Sequence, residues 1–181
     1  MAASIPVVPA WAQILPSLRE GAAGLSEPQW ETLAAVQDHL LPSEPQAPGA
    51  REVHATAYLY YALTAPGADP DDRVFIRDGL NRLEQVVADS DGTSFLALNE
   101  RQQEAALRTF EKDEGGHDWI SEVLQFLMEA LLADPLYNAN PGGIGWRWLE
   151  HTPGFPQPVA GKEYYRLRPV MTPPVKKESR P

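Results

Sequence analysis

The chain contains no cysteine. That absence removes disulfides, cysteine-ligated iron–sulfur clusters and covalently attached c-type haem, while naming no compartment. Basic residues are scarce too. Lys and Arg number 15 against 25 Asp and Glu, and the formal charge of -10 disfavours nonspecific binding to nucleic acid or to an anionic membrane surface. No uninterrupted apolar run approaches the roughly 20 residues that a bilayer span requires, so no membrane span is expected. The opening stretch "MAASIPVVPAWAQILPSLREG" has no basic residue before Arg19 and no Arg-Arg pair, and it matches neither a secretory nor a twin-arginine signal. The location expected for the sequence as written is the cytoplasm, or the periplasm if a signal has been removed.

What is present fits one domain with tails. A length of 181 residues, 43% of them hydrophobic, supplies one sizeable core and leaves no room for a second full domain. Ser26 and Gln29 have the spacing of a capping box, with Leu25 and Trp30 placed as a hydrophobic staple. Leu33, Val36, Leu40 and Leu41 then recur at helical spacing until Pro42. A second helix is expected over about Pro48 to Ala65. Its "VHATAYLYYALTA" is apolar almost all round, which predicts the central, most buried helix. A third, in "DRVFIRDGLNRLEQVVADS", aligns Val74, Phe75, Leu80, Leu83, Val86 and Val87. Asn99 and Gln102 repeat the capping-box spacing ahead of a fourth helix, which Gly115 and Gly116 stop. The fifth places Trp119, Val123, Phe126, Leu127, Ala130 and Leu131 along one side until Pro135.

These elements predict an all-α fold, a compact bundle or orthogonal array of about five helices. A long irregular segment rich in aromatics, proline and glycine follows them. The expected division is an N-terminal extension over 1–24, a helical domain over 25–134, an irregular aromatic segment over 135–160 and a basic, proline-rich tail over 161–181. From residue 161 onward Lys162, Arg166, Arg168, Lys176, Lys177 and Arg180 face only Glu163 and Glu178, so the tail carries +4 and the remainder -14.

Motifs for chemistry are few. "DSDGT" at Asp89–Thr93 resembles a calcium loop, but setting Gly92 at the sixth position puts Val87 first and Leu98 twelfth, so it reads as a helix exit. "EGGH" at Glu114–His117 has the Glu-x-x-His spacing of di-iron helices in a single copy broken by two glycines. His39, His54 and His151 are scattered, and His54 is expected inside the apolar helix as a core residue. Neither Ser43 nor Ser94 has a nucleophile-elbow setting. "GGIG" at Gly142–Gly145 follows no strand, opens no predicted helix and lacks the remainder of a P-loop or dinucleotide fingerprint.

Three stretches carry a resemblance: "TLAAVQDHLLPSEPQAPGA" (Thr32–Ala50), the Phe95–Gln103 region, and "DPLYNANPGGIGWRWLEHTPG" (Asp134–Gly154). Together they resemble the gluconate 2-dehydrogenase subunit 3 family, the small subunits of bacterial flavin-dependent sugar and polyol dehydrogenases. In the last stretch Asp134, Pro135, Tyr137, Asn140, Gly145, Trp146, Pro153 and Gly154 fall on the family pattern, while Asn138 and Ala139 stand where the pattern has two glycines. The resemblance implies a noncatalytic subunit that holds no cofactor itself. Its partner would be a large flavoprotein of the glucose-methanol-choline (GMC) type, which binds FAD and oxidises the sugar, often with a cytochrome c subunit taking the electrons. Many such small subunits carry a twin-arginine signal, which this sequence does not show.

On that reading the aperiodic aromatic segment is a docking strap, and "GGIG" is a flexible corner that aims Trp146 and Trp148. The residues expected to meet the partner are Tyr137, Asn138, Asn140, Trp146, Trp148, Phe155, Tyr164 and Tyr165. The alternative for this segment is intramolecular, with the aromatics packing back on the bundle. Two other functions fit the sequence: a free-standing enzyme using His54 or His117 with neighbouring carboxylates, and a standalone module that binds a small ligand or a protein.

Overall fold

The computed structural model describes residues 22–154. Across them run α1 (Glu27–Leu40), α2 (Ala55–Thr64), α3 (Pro70–Asp91), α4 (Glu100–Glu111), α5 (Gly116–Leu132) and the one-turn α6 (Ile144–Trp148). Short 3-10 turns occupy Ala22–Gly24, Phe95–Ala97, Pro135–Tyr137 and Pro141–Gly143. Among the described residues there is no strand, only an isolated bridge between Glu44 and Ala47. The fold is all-α, as the periodicities predict.

Local chemistry sets the starts of three helices, α1, α3 and α4. The Gln29 side chain accepts from the Ser26 N–H at 2.8 Å. Asn99 Oδ1 accepts from the Gln102 N–H at 3.1 Å while Gln102 Oε1 accepts from the Asn99 N–H at 3.1 Å, a reciprocal pair that satisfies two N–H groups at the start of α4. Asp69 caps α3 by accepting from Asp71 N at 2.9 Å, and Pro70 opens it. Gly92, at φ 65°, ends α3 in the left-handed region, so "DSDGT" is a helix exit.

The second helix departs from expectation. It begins at Ala55, not Pro48, because residues 49–54 fold back as a turn. Ala50 N donates to Leu41 O at 2.8 Å, and the Glu52 carboxylate takes both the Ser43 hydroxyl (2.6 Å) and the Gly49 N–H (2.9 Å). His54 closes this turn at φ 57°, a left-handed conformation, and is therefore the N-cap of α2 and not an interior residue.

The centre of the body is α5, not α2. It packs against every other α-helix, and Trp119, Val123, Phe126, Leu127, Ala130 and Leu131 are buried along its length. The shorter α2 carries Tyr58, Tyr60 and Tyr61, all only half-buried, because each hydroxyl needs a polar partner or water. Along α3 the buried row is Ile76, Leu80, Leu83 and Val87; Val74 and Phe75 lie off that row and are exposed. Where α3 crosses α5, a Cβ on Gly79 would sit 1.9 Å from Trp119 Cδ1, so glycine alone lets the indole lie across the helix. Trp119 Nε1 there donates to Ile76 O at 3.1 Å.

Polar bonds fix the outer helices on this core. Thr56 Oγ1 donates to the buried Gln37 Oε1 at 2.7 Å, tying α2 to α1. Glu84 on α3 accepts from Thr32 Oγ1 at 2.9 Å and from Phe95 N at 3.0 Å, holding α1 and the Phe95–Ala97 turn together. The compact unit built this way continues to His151.

Candidate docking surface

The stretch after α5 is built from one-turn pieces, each set by a side chain. Asp134 accepts from Leu136 N at 2.9 Å and starts the Pro135–Tyr137 turn. Asn138 (φ 61°) and Asn140 (φ 48°) take the left-handed conformations that reverse the chain, a region asparagine tolerates well. Ala139 between them has no positive φ and is buried. The two residues that replace the family's glycines thus play different parts, Asn138 supplying the backbone conformation and Ala139 a core contact.

Asn140 is the pin of the segment. It is fully buried; its Nδ2 donates to Ala133 O at 3.0 Å, its Oδ1 accepts from Gly145 N at 2.7 Å, and its main-chain N donates to Val53 O at 2.9 Å. Gly143, at φ 71°, then opens α6. "GGIG" therefore does begin a helix, and it is a fixed corner: a Cβ on Gly145 would lie 2.2 Å from Leu131 O, so α6 seats directly on the α5 backbone. Trp146 Nε1 donates to Leu132 O at 2.8 Å, and an Arg147 guanidinium N–H is bonded to Gly142 O. Together Asn140 and Trp146 satisfy carbonyls that the end of α5 would otherwise leave open.

The residues named as partner contacts therefore divide. Asn140 is spent inside the chain and cannot meet a partner. Trp146 is half-buried with its N–H already used. Tyr137 and Trp148 are exposed, Tyr137 with its ring 5.3 Å from that of Tyr61. Asn138 is exposed and serves the turn. Phe155, Tyr164 and Tyr165 lie outside the described residues. Exposed apolar side chains that sequence periodicity did not single out stand on α5 itself: Leu124, Met128 and Leu132.

Charged groups elsewhere form ion pairs with one another. A cleft of about 830 Å3 opens between α1, the loop after it and α4, and its lining includes Asp38, His39, Arg51 and Glu104. Asp38 pairs with Arg51 at 2.6 Å, and Glu104 takes both His39 and Arg108 at 2.5 Å. Burial pushes the Asp38 carboxyl up against the opposing pull of Arg51, while the hydrogen bond from His39 draws Glu104 down. Tyr58 donates to Glu129 at 3.1 Å, and burial first, then that carboxylate, pushes its hydroxyl up to about 12. His54 is held below its usual range by burial, partly offset by a hydrogen bond to the Asn138 main chain. Among the described residues no group of three or more His, Asp or Glu side chains converges as metal ligands, and no helix is long and apolar enough to cross a membrane.

A protein-family model, that of gluconate 2-dehydrogenase subunit 3, matches residues 27–154, which is more than half of the chain. The chain belongs to the gluconate 2-dehydrogenase subunit 3 family. No curated protein and no solved structure matches it. The family match begins at the first residue of α1 and runs past α6, so it takes in all the described helices together with the Asn140 pin. As a member of the subunit 3 family, the chain is expected to work as part of a dehydrogenase complex.

Proposed function

We propose that this subunit 3 family member is a noncatalytic small subunit that binds and stabilises the catalytic subunit of a GMC-type, FAD-dependent dehydrogenase acting on a sugar, polyol or glycoside. It assists the folding and assembly of that flavoprotein and contributes no cofactor. Electrons leave the complex through the flavin, in many such assemblies to a cytochrome c subunit. The observation that carries this reading is the family match over residues 27–154. The alternative of a free-standing enzyme built on His54 or His117 has less behind it: His54 is the N-cap of α2, and the exposed His117 has Glu111 at 3.7 Å as its ion-pair partner.

The test is co-expression of a GMC-type flavoprotein from the same organism with and without this chain. Soluble flavoprotein, bound FAD per polypeptide and sugar-dependent dye reduction should each rise several-fold when the chain is present. Equal yield, flavin content and activity in its absence would remove the proposed role.

A further inference from the structure

The last turns of α5 read "FLMEALL", apolar on every side except at Glu129. A helix that is apolar all round is normally enclosed all round. Here only one side is enclosed. Phe126, Leu127, Ala130 and Leu131 face the core, while Leu124, Met128 and Leu132, spaced one turn apart along the opposite face, are 40%, 51% and 41% exposed. Leu136, just beyond the helix end, is 59% exposed. Three large apolar side chains in register on one rigid helix form a single stripe, unlike apolar residues scattered singly over a surface.

A line of carboxylates runs beside this stripe. Glu122 and Glu129 stand on α5, and Asp72 approaches both from the start of α3, where Asp69 and Asp71 adjoin it. The charges that act on Glu122 are Asp72 and Glu129, and those that act on Asp72 are Asp69, Asp71 and Glu129, all of the same sign. Burial and this mutual repulsion hold both carboxyls above their ordinary range. Glu129 receives the Tyr58 hydroxyl and the Gln125 amide, which are neutral donors. The groups that raise Glu122 and Asp72 are all of one sign, and a partner's cations would relieve that repulsion.

We propose that the outer face of α5, the Leu124–Met128–Leu132 stripe with its acidic flank, is the surface that receives the dehydrogenase's catalytic subunit, through an apolar patch edged by lysine or arginine. The inference rests on the subunit reading above and adds to it where the contact lies and what chemistry the partner presents. Methionine at the centre suits such a contact, since its unbranched, polarisable side chain fills irregular gaps. The stripe is the water-excluding centre; a stable interface of about 800 Å2 per partner also needs the surrounding polar surface.

The experiment measures binding of the full chain to the co-expressed GMC-type flavoprotein by surface-based kinetics, with helicity of each variant checked by circular dichroism. Met128→Glu combined with Leu132→Ser should weaken binding on the order of a hundredfold, and Leu96→Ser, at an exposed leucine of the Phe95–Ala97 turn, should leave it unchanged. Glu122→Lys should slow association several-fold and flatten its dependence on salt. If Met128→Glu lowers helicity, Met128→Ser tests the same contact without placing a charge on the helix. A wild-type pair that fails to bind overturns the subunit reading and this inference with it. A wild-type pair that binds, with the stripe variant binding within twofold, overturns the inference and leaves the reading standing. An isolated chain that sediments as a dimer and is made monomeric by the stripe variant also overturns it, because the stripe then meets a second copy.

Discussion

Gly79 shows how one residue can carry a contact that no local pattern announces. In a sequence it is a weak spot in a long helix, where alanine would ordinarily be better by about 1 kcal/mol. In the fold its missing Cβ is where the Trp119 indole lies, with Cδ1 1.9 Å from the position a Cβ would take. Neither partner can give way easily: Trp119 is fully buried, its ring meets Phe110 edge-on at 5.6 Å, and its N–H is bonded to Ile76 O. Overpacking should outweigh the gain in helix propensity, so Gly79→Ala should destabilise the chain by about 2 kcal/mol. For a chain of this size that is a fall in Tm of roughly 4–8 °C. Thermal melts of the two proteins check it, and an unchanged or higher Tm would mean that the indole can move aside. His54 was hidden for a related reason. Its neighbours in sequence are apolar and helix-compatible, but the backbone there is fixed by the fold-back that ties Ala50 N to Leu41 O, and His54 closes that turn at φ 57°.

At the scale of elements, helices whose starts are encoded within four residues were legible. Ser26 with Gln29 and Asn99 with Gln102 place α1 and α4 because both halves of each cap lie side by side in the chain. The 135–151 stretch was legible in residues but not in role. Its turns are each too short to show a period, and they are held by side-chain-to-main-chain bonds, which leave no hydrophobic repeat. The usable signal was Asn140 ahead of Pro141 and Gly142-Gly143, since asparagine and glycine are the residues that accept left-handed backbone. Asn140→Ala would leave the buried Gly145 N–H and the Ala133 carbonyl without partners and force alanine into φ 48°. One unsatisfied buried group costs about 1–3 kcal/mol and the backbone strain roughly another 1 kcal/mol. A loss of about 3 kcal/mol in denaturant unfolding is expected, with faster hydrogen exchange at Gly145. A variant as stable as the parent would show that the α5 end needs no pin.

For the whole molecule, the acidic composition and the exposed apolar side chains pull in opposite directions. A charge of -10 favours solubility, yet Val74, Phe75, Leu124, Met128, Leu132, Leu136, Tyr137, Trp148 and Leu149 are all more than a third exposed on a small helical body. Composition alone revealed the first property and could not reveal the second, because which side of an apolar helix faces inward depends on its neighbours. A subunit that completes its burial only in a complex should gain stability by mass action when the partner is present. With the flavoprotein at about 100 times the dissociation constant the gain is roughly 2.7 kcal/mol. In a chain of this length that corresponds to a rise in Tm of about 5–10 °C. The free chain should also bind an apolar-surface dye such as ANS and lose that signal as the partner is titrated in, with the endpoint at stoichiometric ratio. Differential scanning fluorimetry and dye titration measure both quantities. A free chain that binds no dye and melts as high as the complex would mean that its exposed apolar surface is tolerated as it stands, and that association buries little of it.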